Sequence, residues 1–229
     1  MVRKHRQHGG WISRSILPLL VVASSFIARD APARAVAAAR VASDLVLGAA
    51  PRAVHTAAWA SDLAPIEVVS MSTKESAQIR LYDELGNVDD EARAAFERIA
   101  ARQPEPHALA PRLVQLAMKA AYHFRATRLI VVSAWRERAH KHGTGEALDF
   151  KLAGVSPYAL AAYLRGLPRA GVGLYTDPDT QFVHVDVRAP SYHWVDASPP
   201  GVHWRERPLH DPRAEQRDEA YAPESDLPL

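Results

Sequence analysis

The octapeptide "QFVHVDVR", Gln181 to Arg188, leaves a chain few ways to fold. Val183, Val185 and Val187 alternate with His184, Asp186 and Arg188, and a period of two is that of a β-strand with unlike faces. The valine face has to be covered by a core. The opposite face lines up an imidazole, a carboxylate and a guanidinium beside Phe182. Such a chain must build a sheet with one buried face and one face carrying chemically capable groups. A merely solvated polar face is the plainer reading of the second.

The remaining elements fit around that strand. "GVGLY" precedes it across the turn "TDPDTQ", which gives a late hairpin. Ile66 to Ser70 and Gln78 to Tyr82 predict an earlier hairpin around "STKES". Asp89 or Asp90 caps a helix running to about Arg102. A second helix spans Pro111 to Phe124, with proline in its first turn and Leu113, Leu116, Ala117, Ala120 and Ala121 on one face. "TRLIVVSAW" and "GEALDF" read as strands, and "SPYALAAYLRGL" as a helix capped by Ser156. The mixed order of strands and helices predicts an α+β fold with a small antiparallel or mixed sheet and flanking helices, rather than a parallel doubly wound one.

At 229 residues, 48% of them hydrophobic, the chain can bury one good core with tails. Cysteine is absent, which excludes disulfides, thiolate metal sites and cysteine nucleophiles. The pI of about 9.0 misleads. Met1 to Ala35 holds six basic residues against Asp30, a net of +5 out of a total of +2, so the remainder carries −3. No basic patch calls for nucleic acid. The same segment has the layout of an export signal: a basic start, an apolar run from about Ser15 to Ala28, and "ARA" at Ala33 to Ala35 as a cleavage site. The apolar run is short of the roughly 20 residues of a membrane span. Export to a bacterial-type periplasm or beyond is expected, with a retained N-terminal anchor as the alternative. Residues 36–65, rich in alanine with two prolines, read as a linker. Residues 196–229, proline-rich and charged, read as an extended tail.

The segment "HKHGTGEALDF" carries the second set of candidates. Alternation through "GEALD" puts Gly145, Ala147 and Asp149 on one face, with the small residues expected to clear space above the carboxylate. His142 precedes them in a glycine-flanked turn that can fold over the same face. With His184 these make a three-ligand N/O set. Zinc suits it, because three protein ligands and an open fourth position are the catalytic arrangement. His140 is the local rival and is expected to be exposed. His193, His203 and His210 are expected at the surface.

His142, Gly145, Ala147 and Asp149 fit H-x-x-G-x-A-x-D, and His184 with Asp186 fits a later H-x-D behind "GVG-x-Y". In these motifs the chain resembles the zinc D-alanyl-D-alanine carboxypeptidase and hedgehog-like metallopeptidase superfamily, closest to its exported murein endopeptidases. The resemblance spans Ile66 to Trp194 and implies a peptidase domain over 66–195. It implies that His142, Asp149 and His184 ligate one Zn2+. It further implies that Arg136 in "SAWR" binds the substrate carbonyl and steadies developing charge, with Trp135 at the family's substrate-binding aromatic position. The substrate implied is the peptide stem or cross-link of peptidoglycan, with D,D-endopeptidase action first and D,D-carboxypeptidase action second.

Two departures stand out. Relatives place an acidic residue or a histidine just before the last ligand, where this chain has Gln181 and Phe182. Asp186 is then the carboxylate in reach as general base, and support of a ligand is its competing role. The segment from Arg136 to His142 is also short. Two other classes stay open: a zinc-binding or wall-binding module of the same fold without hydrolysis, and a structural envelope domain without metal.

Overall fold

The valine alternation does become a strand, and it lies inside an eight-stranded sheet. The computed structural model describes residues 57–101, 107–136, 140–199, 202 and 206–229, all within one unit spanning Ala53–Leu229. In chain order these form α1 (Ala58–Ser61), β1 (Ile66–Ser70), β2 (Ser76–Ile79), α2 (Asp90–Ala100), α3 (Pro111–His123), β3 (Arg128–Ser133), α4 (His140–Gly143) and β4 (Ala147–Leu152). There follow α5 (Pro157–Arg165), β5 (Ala170–Tyr175), β6 (Phe182–Val187), β7 (Tyr192–Asp196), β8 (Glu206–Leu209), α6 (Ala214–Glu219) and a 3-10 turn at Pro223–Asp226. The strand order is β2-β1-β3-β4-β6-β5-β7-β8. The β1–β3 and β5–β7 pairs are parallel and the others antiparallel, so the sheet is mixed.

Local chemistry explains the helix starts. The Asp89 side chain accepts from Ala92 N at 2.7 Å and caps α2, and Ser156 Oγ accepts from Tyr158 N at 3.3 Å and caps α5. Pro111 and Pro157 stand in the first turns of α3 and α5, where the missing N–H has no cost. These helices bury Phe96, Leu113, Leu116, Leu160 and Leu164 in one core cluster with Leu148, Phe150, Val183 and Val185. One face of the central strands is thereby closed, and the other carries Asp149, His184 and Asp186.

Both ends of the domain lie beyond the expected bounds. The linker reading fails for its last residues, because Ala60 is fully buried and Trp59 meets Tyr82 edge-on at 5.2 Å. An indole with a core partner is worth burying, so the domain begins at or before residue 57. The hairpin strand β2 starts at Ser76 and stops at Ile79, leaving Tyr82 in a bridge to Val88.

The extended tail is also corrected. β8 pairs with β7, and Arg112 binds Asp226 at 2.8 and 3.1 Å. The ring of Tyr221 takes Arg112 and Arg169 at 4.7 Å each. Asp218 accepts from Arg169 N, Ser191 N and Ser191 Oγ at 2.5, 2.6 and 2.7 Å. Charge alone suggested solvation, but these charges find partners on the domain. The addition of β8 also buries His193, expected at the surface, 3.5 Å from Asp211. His140 is exposed as expected.

The proposed signal, residues 1–35, lies outside the described residues, as do residues 36–56 of the linker and His203. Among the described residues no helix is long and apolar enough to cross a membrane.

Candidate metal centre

Three elements converge on one point of the polar face. β4 supplies Asp149, β6 supplies His184 directly across from it in register, and the short helix α4 drops His142 over both. All three are buried and together form a group able to hold a metal ion. His142 Nε2 stands 3.3 Å from His184 Nδ1 and 3.4 Å from Asp149 Oδ1, and His184 Nδ1 stands 2.8 Å from Asp149 Oδ1.

The donor set was tested against zinc on two grounds. Ligands at about 2.0–2.1 Å from a tetrahedral zinc stand about 3.3 Å apart, and two of the three separations match. The third is the length of a hydrogen bond. The second ground is the fixing of both ring tautomers. His142 Nδ1 donates to the Ala134 carbonyl, so Nε2 is the free lone pair. His184 Nε2 donates to Asp186 Oδ2 at 3.1 Å, so Nδ1 is the nitrogen turned to Asp149 and the one a metal would take in exchange for its proton. Three acceptors facing one another need a cation between them, and the residues fit a divalent ion.

Charge follows the same geometry. Burial opposes the negative charge of Asp149, but its contacts with the His142 and His184 imidazoles prevail and hold it well below the usual carboxylate range. Burial disfavours the His184 cation too, yet the hydrogen bonds to Asp149 and Asp186 push its pKa up to about 8. Asp186 is completely buried, and burial would raise its pKa. Hydrogen bonds from His184 and Arg188 outweigh that and keep it low.

Asp186 therefore has both oxygens engaged. Arg188 Nε donates to Oδ1 at 2.6 Å, while Arg188 Nη2 and His184 Nε2 share Oδ2. Of the two roles the sequence left open for it, these contacts fit support of His184. Arg136 sits at the rim of the group and donates from Nη2 to Asp149 Oδ2 at 3.0 Å. Trp135 stacks on His107 at 3.8 Å and is not among the described residues lining the cleft.

The group opens into a cleft of about 540 Å³ that Arg136, Tyr175, Phe182, Arg188, Trp194 and Glu206 help to line. Two of its residues escaped the sequence reading. Ser133 reaches the polar face because β3 carries a bulge: Val131 faces Phe150, yet Ser133 faces Asp149, one step further on β4 but two on β3. Its Oγ is buried without a hydrogen-bond partner among the described residues. Strand alternation without the bulge would have put Ser133 in the core. Glu206 enters from β8, in a segment whose composition gave no sign of a strand.

One expectation about "HKHGTGEALDF" is revised. Gly145 lies before β4 at φ +71, and a side chain there would collide with the Ala108 carbonyl. It is a turn glycine and does not clear space above Asp149. The space is cleared in "GVG" instead: a Cβ on Gly171 would overlap Asp186 and Arg188, and one on Gly173 would overlap Trp194.

No family model, curated protein or solved structure matches this chain.

Proposed function

We propose that this protein is a zinc-dependent peptidase that hydrolyses peptide bonds of peptidoglycan, with D,D-endopeptidase action ahead of D,D-carboxypeptidase action. The observation that carries the proposal is the buried His142–Asp149–His184 triangle at the floor of an open cleft. Three protein ligands with an accessible fourth side fit hydrolysis better than a closed structural site. The wall substrate rests on the motif resemblance and on the export signal read in residues 1–35.

Zinc held there would lower the pKa of a bound water to ~7 and polarise a carbonyl. The chain's own groups then divide the remaining work. Arg136 has one N–H occupied by Asp149 and others available for the oxygen that gains charge. Ser133 Oγ, buried beside Asp149 with no hydrogen-bond partner among the described residues, is a second donor for the substrate. The described lining holds three carboxylates: Asp149, Asp186 and Glu206. The first two have every oxygen engaged in hydrogen bonds or ion pairs, whereas Glu206 has no such partner among the described residues. Glu206 stands on β8, three strands from β6, and makes no hydrogen bond or ion pair with the ligands among the described residues; Asp186 is assigned to orienting His184.

The alternative is a zinc-binding or wall-binding module without hydrolysis, favoured by one observation: the carboxylate of the family pattern at residue 181 is a glutamine. Mass analysis of muropeptides after incubating the zinc-loaded full-length chain with isolated sacculi separates the two. New termini at D,D bonds are expected. Bound zinc with intact sacculi selects the module, and a chain that takes up no zinc removes both readings.

A further inference from the structure

The glycines of "GVG" and the cation Arg188 are left over when the ligands and the catalytic groups have been named. They lie together behind His184. Gly171 pairs with Asp186 across β5 and β6, and a Cβ on Gly171 would stand 2.6 Å from Asp186 Cγ. Gly173 pairs with His184 on one side and Trp194 on the other, and a Cβ there would overlap the indole ring, standing 2.5 Å from its Cζ2. The indole lies 5.1 Å from the His184 ring.

Arg188 closes this arrangement. It grips both oxygens of Asp186, a carboxylate with no exposure that would be costly to bury without a cation. Its guanidinium in turn lies 5.5 Å from the ring of Tyr192 and 5.7 Å from that of Trp194. Two side chains therefore fix His184 from behind: Asp186 at Nε2 and Trp194 against the ring. Both occupy room that exists only because β5 has no side chains at 171 and 173.

We propose that Arg188 is a positioning residue of the metal site, acting through Asp186 on the direction of the His184 Nδ1 lone pair, and that Gly171 is the vacancy that admits the pair. A bidentate fork fixes the carboxylate plane, and the carboxylate fixes the ring. Lysine at 188 would keep the charge but lose the fork. The inference rests on the metal site and is independent of whether the protein hydrolyses anything.

Zinc dissociation constants of the full-length chain, measured by competition with a chromophoric chelator at one pH, test it. Arg188→Gln is expected to weaken zinc binding by about 10–100-fold, as loss of such outer partners does. Arg188→Lys should recover part of that loss, and Gly171→Ala should weaken binding in the same direction. Asp89→Ala, which removes the cap of α2 at the far end of the sheet, is the control: its thermal midpoint should fall while its zinc affinity holds. A folded Arg188→Gln or Arg188→Lys with wild-type affinity would overturn the proposal and leave the metal site standing. So would an Asp89→Ala that loses as much affinity as Arg188→Gln, since that marks general loosening. If the wild-type chain takes up no zinc, the metal site and this inference fall together.

Discussion

His184 Nδ1 stands 2.8 Å from Asp149 Oδ1, closer than either atom stands to His142 Nε2. A proton shared in that gap holds the place that a metal would take. Because the His184 pKa is pushed up to about 8 from its ordinary ~6.5, the metal-free protein carries that proton at neutral pH. Zinc must displace it. Apparent zinc affinity should therefore rise with pH and level off above about 8, with a proton released on binding below that value. The sign for the metal-free protein is opposite. A raised pKa gives stability that is complete below ~6.5 and lost as pH climbs through about 8. Thermal midpoints with and without zinc should thus diverge as pH rises, and curves that stay parallel would contradict the shared proton.

The two roles open to Asp186, support of His184 and proton transfer, separate by substitution. Asp186→Asn would set an amide against the Arg188 guanidinium and disturb its bond from His184. Weaker zinc binding by about 10–100-fold is expected. Glu206→Gln, three strands from β6, should leave zinc affinity unchanged. An Asp186→Asn that binds zinc but stays inactive at saturating zinc would return the proton transfer to Asp186.

Ser133 makes an unusual forecast because function and stability should move in opposite directions. Its hydroxyl is buried without a partner among the described residues, which costs stability unless a ligand comes to meet it. Ser133→Ala should raise stability by up to about 1 kcal/mol. Zinc affinity should hold, and kcat/KM should fall by about tenfold, the worth of one hydrogen bond of 1.4 kcal/mol. Denaturant unfolding and steady-state rates on the same preparation check both halves.

Which parts of this were legible in the sequence follows from what each part depends on. The metal ligands depend on alternation along β4 and β6, and alternation is written in residues such as Val183 and Val185. Helix starts depend on local caps such as Asp89 and Ser156. Ser133 depends on a bulge, which inserts one residue and reverses the facing that counting predicts. Gly145 was read as clearance because it precedes Asp149, whereas its neighbour is the Ala108 carbonyl, 37 residues earlier in the chain. The placing of His193, Glu206 and Asp226 depends on long-range pairing of charges. In composition, a charged segment that finds partners is the same as one that does not.

The C-terminal segment should matter for that reason. Asp226 is almost wholly buried, and Arg112 on α3 reaches it from across 114 positions of sequence at 2.8 Å. Tyr221 Oη donates to the same carboxylate at 2.9 Å. Removing one partner of a buried pair leaves the other charge without compensation, at a cost of about 3–5 kcal/mol. Asp226→Ala is expected to destabilise by roughly that amount, and deletion of residues 210–229 by at least as much, because Asp218 and its three hydrogen bonds go too. Those bonds hold Arg169 and Ser191, the residues that lead into β5 and β7. Deletion should therefore loosen the cleft as well as the core, and zinc affinity should drop with stability. Asp226→Ala frees Arg112 and Tyr221 but leaves the bonds of Asp218 to Arg169 and Ser191, and should lower the unfolding midpoint with zinc affinity retained. A deletion that unfolds at the wild-type denaturant concentration would return residues 210–229 to the status of a tail.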